Sequence, residues 1–91
     1  MPVSQVDCSI AQPDYPEAAR RRGEAGTAVV RFVVGATGQV ESIQLRHSSG
    51  YARLDEAALD ALRSSTCRPH RENGMPVPVM FEQSFVFGLA N

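Results

Sequence analysis

The stretch Gly26-Thr27-Ala28-Val29-Val30-Arg31-Phe32-Val33-Val34, continued by Gly35-Ala36-Thr37-Gly38 and by Gln39-Val40-Glu41-Ser42-Ile43-Gln44-Leu45-Arg46-His47, decides the fold. Its first nine residues are rich in β-branched side chains and alternate with a period of two. Ala28, Val30, Phe32 and Val34 fall on one face, and Val29, Arg31 and Val33 on the other, which is the pattern of a strand buried on one side. The Gly-containing segment 35–38 reads as a hairpin loop, with Gly38 suited to positive φ. In the return strand Ile43 and Leu45 point one way while Val40 is out of phase. A β-bulge near Glu41-Ser42 is expected to restore the register.

Working outward from this hairpin, Asp14-Tyr15-Pro16-Glu17 opens a short helix. Asp14 or Tyr15 is the expected cap, Pro16 belongs to the first turn, and Glu17 complements the helix dipole. Gly23 offers a left-handed stop. A helix of about two turns is marginal by itself, so tertiary contacts must hold it. On the other side, Ser48-Ser49-Gly50 reads as a strand-to-helix turn. Leu54, Ala58, Ala61, Leu62 and Ser65 then share one helical face, with Asp55 and Glu56 at the start and Arg63 at the end, as the dipole favours. Pro69 prevents helix beyond it, and Asn73-Gly74 signals a turn.

The last strand is expected from about Val77 to Phe87. Val79, Phe81, Gln83, Phe85 and Phe87 lie on one face and Met80, Glu82, Ser84 and Val86 on the other. Pro76 and Pro78 at its start favour an edge position, because proline has no N–H to give to a central ladder. The element order is helix, strand, strand, helix, strand. The economical solution is an α+β domain, a three-stranded antiparallel sheet with both helices packed on one face. Residues 1–13 read as an extended segment carrying Cys8, with Cys8, Ile10 and Val6 alternating, and residues 14–91 as the folded domain. No repeat or linker divides them.

Composition bounds the functions available. At 91 residues with 43% apolar content, this is one globular domain with a thin core, burying about 60–65% of its unfolded surface. The net charge of -1 gives no general field for nucleic acid or an anionic membrane. All nine basic residues are Arg. No apolar run reaches the ~18–20 residues that span a bilayer, and no signal peptide is visible. The chain reads as a soluble fragment of something longer or as a mature secreted protein.

Cys8 and Cys67 lie on opposite sides of the two helices in sequence. A bond between them closes a loop of roughly 60 residues, worth at most ~4 kcal/mol on the chain-entropy argument, with native strain lowering it. Such a staple suits a thin core in an oxidising compartment; the alternative is two unrelated reduced thiols. Cys67-x-x-His70, with Cys8 and His47, could make four ligands for zinc, but the tighter paired spacings usual in a zinc site are missing, and no metal or other cofactor is expected. A Cys–His nucleophile pair lacks a third orienting group, and no catalytic residue is assigned. Arg20-Arg21-Arg22 reads as a solvated helix face balanced by Glu17 and Glu24. Tyr15 reads as half core and half surface with a wet hydroxyl. Phe81, Phe85 and Phe87 read as core, leaving Met80 and Val86 for partner contact.

Tyr15-Pro16, Glu24-Ala25-Gly26-Thr27, Ser48-Ser49-Gly50, Leu54-Asp55 and Cys67-Arg68-Pro69 occur in that order over residues 12–87. Each piece is common alone. As an ordered set, with matching strands between, it resembles the C-terminal domain of the TonB family of energy transducers. Two positions depart from the family pattern. Ser64-Ser65-Thr66-Cys67 stands where Trp and Tyr or Phe usually precede the final Pro, and Ala18 replaces a first-helix Arg used by some relatives. A Cys8–Cys67 bond would substitute for the missing aromatic anchor.

The resemblance implies a mechanical role. The family links an inner-membrane, proton-driven ExbB/ExbD-type complex to TonB-dependent outer-membrane transporters in the periplasm. The transporter's short extended TonB box adds to the sheet edge beside the last strand. It thus implies a partner site at Met80, Phe81, Glu82, Gln83, Ser84, Phe85 and Val86, with a second patch at Gln12, Pro13, Tyr15 and Pro16. It also implies an N-terminal membrane anchor outside this sequence and leaves open strand-swapped homodimers. A stand-alone or sensor-attached periplasmic interaction module is the other reading.

Overall fold

β2 (Gly26–Val34) forms the centre of the sheet because its alternating face is entirely apolar. In a computed structural model that describes residues 8–88, Ala28, Val30, Phe32 and Val34 are all buried. Around β2 the chain places β1 (Cys8–Ser9), α1 (Glu17–Arg21), β3 (Val40–His47), α2 (Ala52–Arg63), β4 (Thr66–Cys67), β5 (His70–Glu72), β6 (Met75–Val77) and β7 (Val79–Phe87). The main sheet has the antiparallel order β3-β2-β7, with both helices on one face. Two-stranded pairs β1-β4 and β5-β6 accompany it. Val6, and with it most of the expected N-terminal extended segment, lies outside the described residues.

The core lies between β2, the C-terminal half of β7 and one face of α2. Leu54, Ala58, Ala61 and Leu62 are buried there against Phe32, Phe85 and Phe87, and Ala19 is the contribution of α1. Phe81 is half-buried at the margin, its ring 6.0 Å from that of Phe32. The helix face read from the sequence, including Ser65, is the buried one.

β3 carries the expected irregularity. Its register against β2 slips between Arg31 and Val33, opposite Gln44 and Glu41, and again between Val29 and Val30. Ser42 takes up the first slip with φ 51, and Val40 and Ile43 thereby both pack on the core. Leu45 stands opposite Val30 but remains 39% exposed, because it hangs at an edge. In the hairpin loop, Gly38 has φ 87, and a side chain there would run into the Cys67 carbonyl.

Local chemistry corrects several details. The cap of α1 is Pro16, with no side-chain cap bond. Tyr15 is unavailable as a cap because its hydroxyl donates to the Glu24 carbonyl, so that hydroxyl is bonded rather than wet. Arg21 pairs with Glu17 as expected, but Glu24 is nearly buried and faces Arg53 of α2 at 3.6 Å. It links the turn between α1 and β2 to α2 instead of neutralising the arginine run. The expected last strand divides at Pro78, which cannot donate to the ladder. The piece before it turns back through Asn73 and Gly74, both at positive φ, to form the β5-β6 hairpin. Two consecutive positive-φ residues are what a tight hairpin turn requires.

The entry to α2 has more polar structure than a dipole argument suggests. Tyr51 caps the helix without a side-chain bond. Asp55 reaches back instead: it accepts from Ser48 Oγ at 2.5 Å, from the Ser49 N–H at 2.8 Å and from Ser49 Oγ at 2.7 Å. Burial pushes its carboxyl up, but these three donors, with His47 nearby, outweigh burial and hold it below the usual carboxylate range. Ser48-Ser49-Gly50 is therefore a structural corner.

Candidate functional site

β7 pairs with β2 in one continuous register, from Gly26↔Phe87 through Val30↔Gln83 to Val34↔Val79, with no slip. Among the described residues no strand pairs with its other side. In an antiparallel ladder every second residue aims its N–H and C=O away from the neighbour it pairs with. β7 therefore presents a straight row of outward backbone groups, a template for an added strand.

The two faces of this edge differ. On the helix-bearing face, Phe85 and Phe87 are buried and Val79, Phe81 and Gln83 are half-buried. On the open face, Met80 is 57% and Val86 76% exposed. Glu82 sits between them and holds two arginines, Arg31 at 3.0 Å and Arg46 at 3.4 Å, across all three strands. The Gln83 amide donates to the Ser84 carbonyl at 2.9 Å.

The segment before α1 comes down beside the C-terminal end of β7. Gln12, Pro13 and Tyr15 line one wall of a groove of about 350 Å³, and Ser84, Phe85, Val86, Phe87 and Gly88 line the other. Tyr15 is fixed at both ends. Its ring meets Phe87 edge-on at 5.7 Å, its hydroxyl reaches the Glu24 carbonyl, and Arg20 lies over its outer face at 5.7 Å. Thus the structure brings together Gln12, Pro13, Tyr15, Ser84, Phe85 and Val86. Met80, Phe81, Glu82 and Gln83 continue the same strand away from the groove. Pro16 is separate and faces a second groove of about 770 Å³ between residues 11–16 and α2. Gln12 and Pro13 border both.

Phe87 and Gly88 complete the first groove and escaped the sequence reading, although Phe87 was visible as the last aromatic of the alternating face. The second groove also escaped it; the small side chains Ala52, Ala57 and Ala61 along α2 were its only local sign. Cys8 and Cys67 are joined by a disulfide, with Cα atoms 4.0 Å apart. The bond consumes both thiolates that a site with His47 and His70 would need. Among the described residues no group of three or more His, Cys, Asp or Glu side chains is placed to hold a metal ion. No helix among them is long and apolar enough to cross a membrane. The arrangement offers hydrogen bonds and apolar contacts to an extended chain.

Residues 11–89 match the family described as Gram-negative bacterial TonB protein C-terminal. A "Protein TonB" of Neisseria meningitidis serogroup C is 38% identical over 74 residues, covering 81% of this chain and 27% of that protein. A "Protein TonB" of Vibrio cholerae is 41% identical over 66 residues, 72% of this chain and 27% of that protein. The chain therefore spans about a quarter of the length of these relatives. The solution structure of the Pseudomonas aeruginosa TonB C-terminal domain superposes with a TM-score of 0.77 at 23% identity, over 98% of this chain and 93% of that one, a likeness of fold.

Proposed function

Because this chain belongs to the family of Gram-negative bacterial TonB protein C-terminal domains, we propose that it is the receiving end of a periplasmic energy transducer. It binds the TonB box of an outer-membrane transporter by strand addition along β7. It passes on tension generated by an inner-membrane, proton-driven ExbB/ExbD-type complex, through an anchor outside this sequence. The observation that carries the reading is the meeting of an unbulged, one-sided strand with a groove walled by Gln12, Pro13 and Tyr15. Backbone pairing supplies the grip, and the groove reads one or two side chains. The role needs no bond-making chemistry from the protein.

Strand addition has a specific test. A TonB-box peptide is titrated against the protein, beside the same peptide N-methylated at alternate residues. Each methyl removes a ladder donor and leaves every side chain in place. The unmodified peptide should bind weakly, because ordering a short chain costs much of the contact energy. Methylation in the phase that faces β7 should abolish binding, and methylation in the other phase should leave it. Equal binding of all three peptides would refute strand addition.

The departure at Ser64-Ser65-Thr66-Cys67 supports a second reading, a stand-alone or sensor-attached TonB-like module that uses the same edge. The gene upstream separates them: a membrane anchor with a spacer marks the transducer, a cleavable signal alone the module. The same edge also suits pairing with β7 of a second copy.

A further inference from the structure

We propose that the Cys8–Cys67 disulfide is a load clamp: it carries a pull on the N-terminal chain directly to the segment leading into β7, and so keeps one wall of the docking groove from being peeled away. The inference rests on the reading that β7 holds a peptide under tension.

Residues 10–15 form a strap whose middle members, Gln12 and Pro13, wall the groove. Apart from the disulfide, its N-terminal hold is the partial packing of Cys8 and Ile10 on the core and a few hydrogen bonds. The β1-β4 pair has two residue pairs, Cys8↔Cys67 and Ser9↔Thr66, and the Ala11 N–H donates to Ser65 Oγ at 2.9 Å. So short a ladder is marginal by itself. A pull entering ahead of Cys8 would load these bonds one after another and open them like a zipper. Beyond Ile10, half-buried on the core, the next anchor is Tyr15, fixed through both its ring and its hydroxyl, so the stretch released first includes the groove wall.

The disulfide changes the path. Load crosses from Cys8 to Cys67, and only residues 68–78 then separate it from β7. The span enclosed by the bond, with a sequence separation of 59, contains the strap, both helices, β2 and β3; the bond bypasses it as a covalent load path. Cys67 is braced in turn, because the hairpin loop packs on its carbonyl so closely that Gly38 admits no side chain. Cutting the bond therefore diverts the same pull through the strap, α1 and β2 before it reaches the peptide.

The test is a single-molecule tether between a TonB-box peptide and the 91-residue chain, held by a handle at its N-terminus. With the oxidised protein, lengthening before rupture should not exceed roughly 40 Å, the reach of residues 68–78, which include the β5-β6 hairpin. With the C8S/C67S double variant, lengthening of up to roughly 200 Å, for 59 residues at about 3.3–3.6 Å each, should precede rupture. Tether lifetime at fixed force should fall several-fold. Moving the handle to the C-terminus takes the disulfide off the load path, and the several-fold difference between the two proteins should then largely disappear. Equal lifetimes with the N-terminal handle would overturn the clamp. Shortening by the same factor with both handles would overturn it in favour of general destabilisation. A protein that forms no tether in either form would overturn the docking reading, and the clamp with it.

Discussion

The two edges of the main sheet flank the same central strand and have opposite characters. β3 slips register twice against β2, places Ser42 at φ 51, and exposes Glu41, Arg46 and His47. Bulges and charges of this kind turn an edge away from further pairing. β7 keeps one register over nine residue pairs, and a groove lies along its C-terminal end. A three-stranded sheet has two edges at which an extended chain could add. We propose that irregularity closes one edge and straightness leaves the other available.

The comparison breaks most completely with Ser84→Pro. Ser84 is exposed in the middle of β7, and proline there interrupts the edge along which an added strand would pair. Peptide binding should vanish in a titration. The circular dichroism spectrum should stay folded, which a control proline at Pro78's neighbour Val77 should also show.

Losing the staple comes next. Cys8→Ser and Cys67→Ser each remove the same bond, so each should cost up to ~4 kcal/mol and the two should agree. Thermal melts should fall by at least several degrees, since about 1 kcal/mol moves a domain of this size by ~4–8 °C. Unequal losses would mean that one cysteine packs for another reason.

The Asp55 corner supports the platform shared by both edges and should show itself through pH. Its folded carboxyl is held below its ordinary value. The stability it contributes is therefore present above the unfolded pKa of ~3.9, and is lost as pH falls through the lower folded value. Asp55→Asn should cost about 2 kcal/mol near neutrality, the scale of hydrogen bonds to a charged group. In urea melts that difference should hold constant down to roughly pH 5 and narrow below it.

The smallest effects sharpen the contrast between edges. Ser42→Gly relieves a left-handed residue on β3 and should raise stability by ~1 kcal/mol at most, without altering peptide affinity. Glu82→Ala removes the exposed pairs to Arg31 and Arg46 and should cost less than ~1 kcal/mol. It should weaken binding far less than Ser84→Pro, because backbone groups supply the grip.

Much of this was legible where the signal is local. The alternation of Ala28, Val30, Phe32 and Val34 marked the buried face of β2, and the phase error at Val40 marked the bulge. The face containing Leu54, Ala58, Ala61 and Leu62 marked the inner side of α2. What escaped depends on residues far apart in the chain. Glu24 finds Arg53 rather than its neighbours in the arginine run. Tyr15 Oη finds a carbonyl that only the fold brings to it. The groove needs the segment before α1 to meet the end of β7, and no periodicity encodes that meeting. Pro78 is the instructive intermediate case. The proline reads as an edge signal, yet its missing N–H also ends the ladder, and the chain before it forms a hairpin of its own.

The central claim is that β7, not β3, receives the partner strand. Residue-resolved amide NMR with increasing TonB-box peptide tests it most directly. The expected result is shifts and slowed hydrogen exchange concentrated in residues 80–86, a second patch at residues 12–16, and an unchanged β3. Shifts centred on residues 40–47 or on α2, with β7 unmoved, would contradict it.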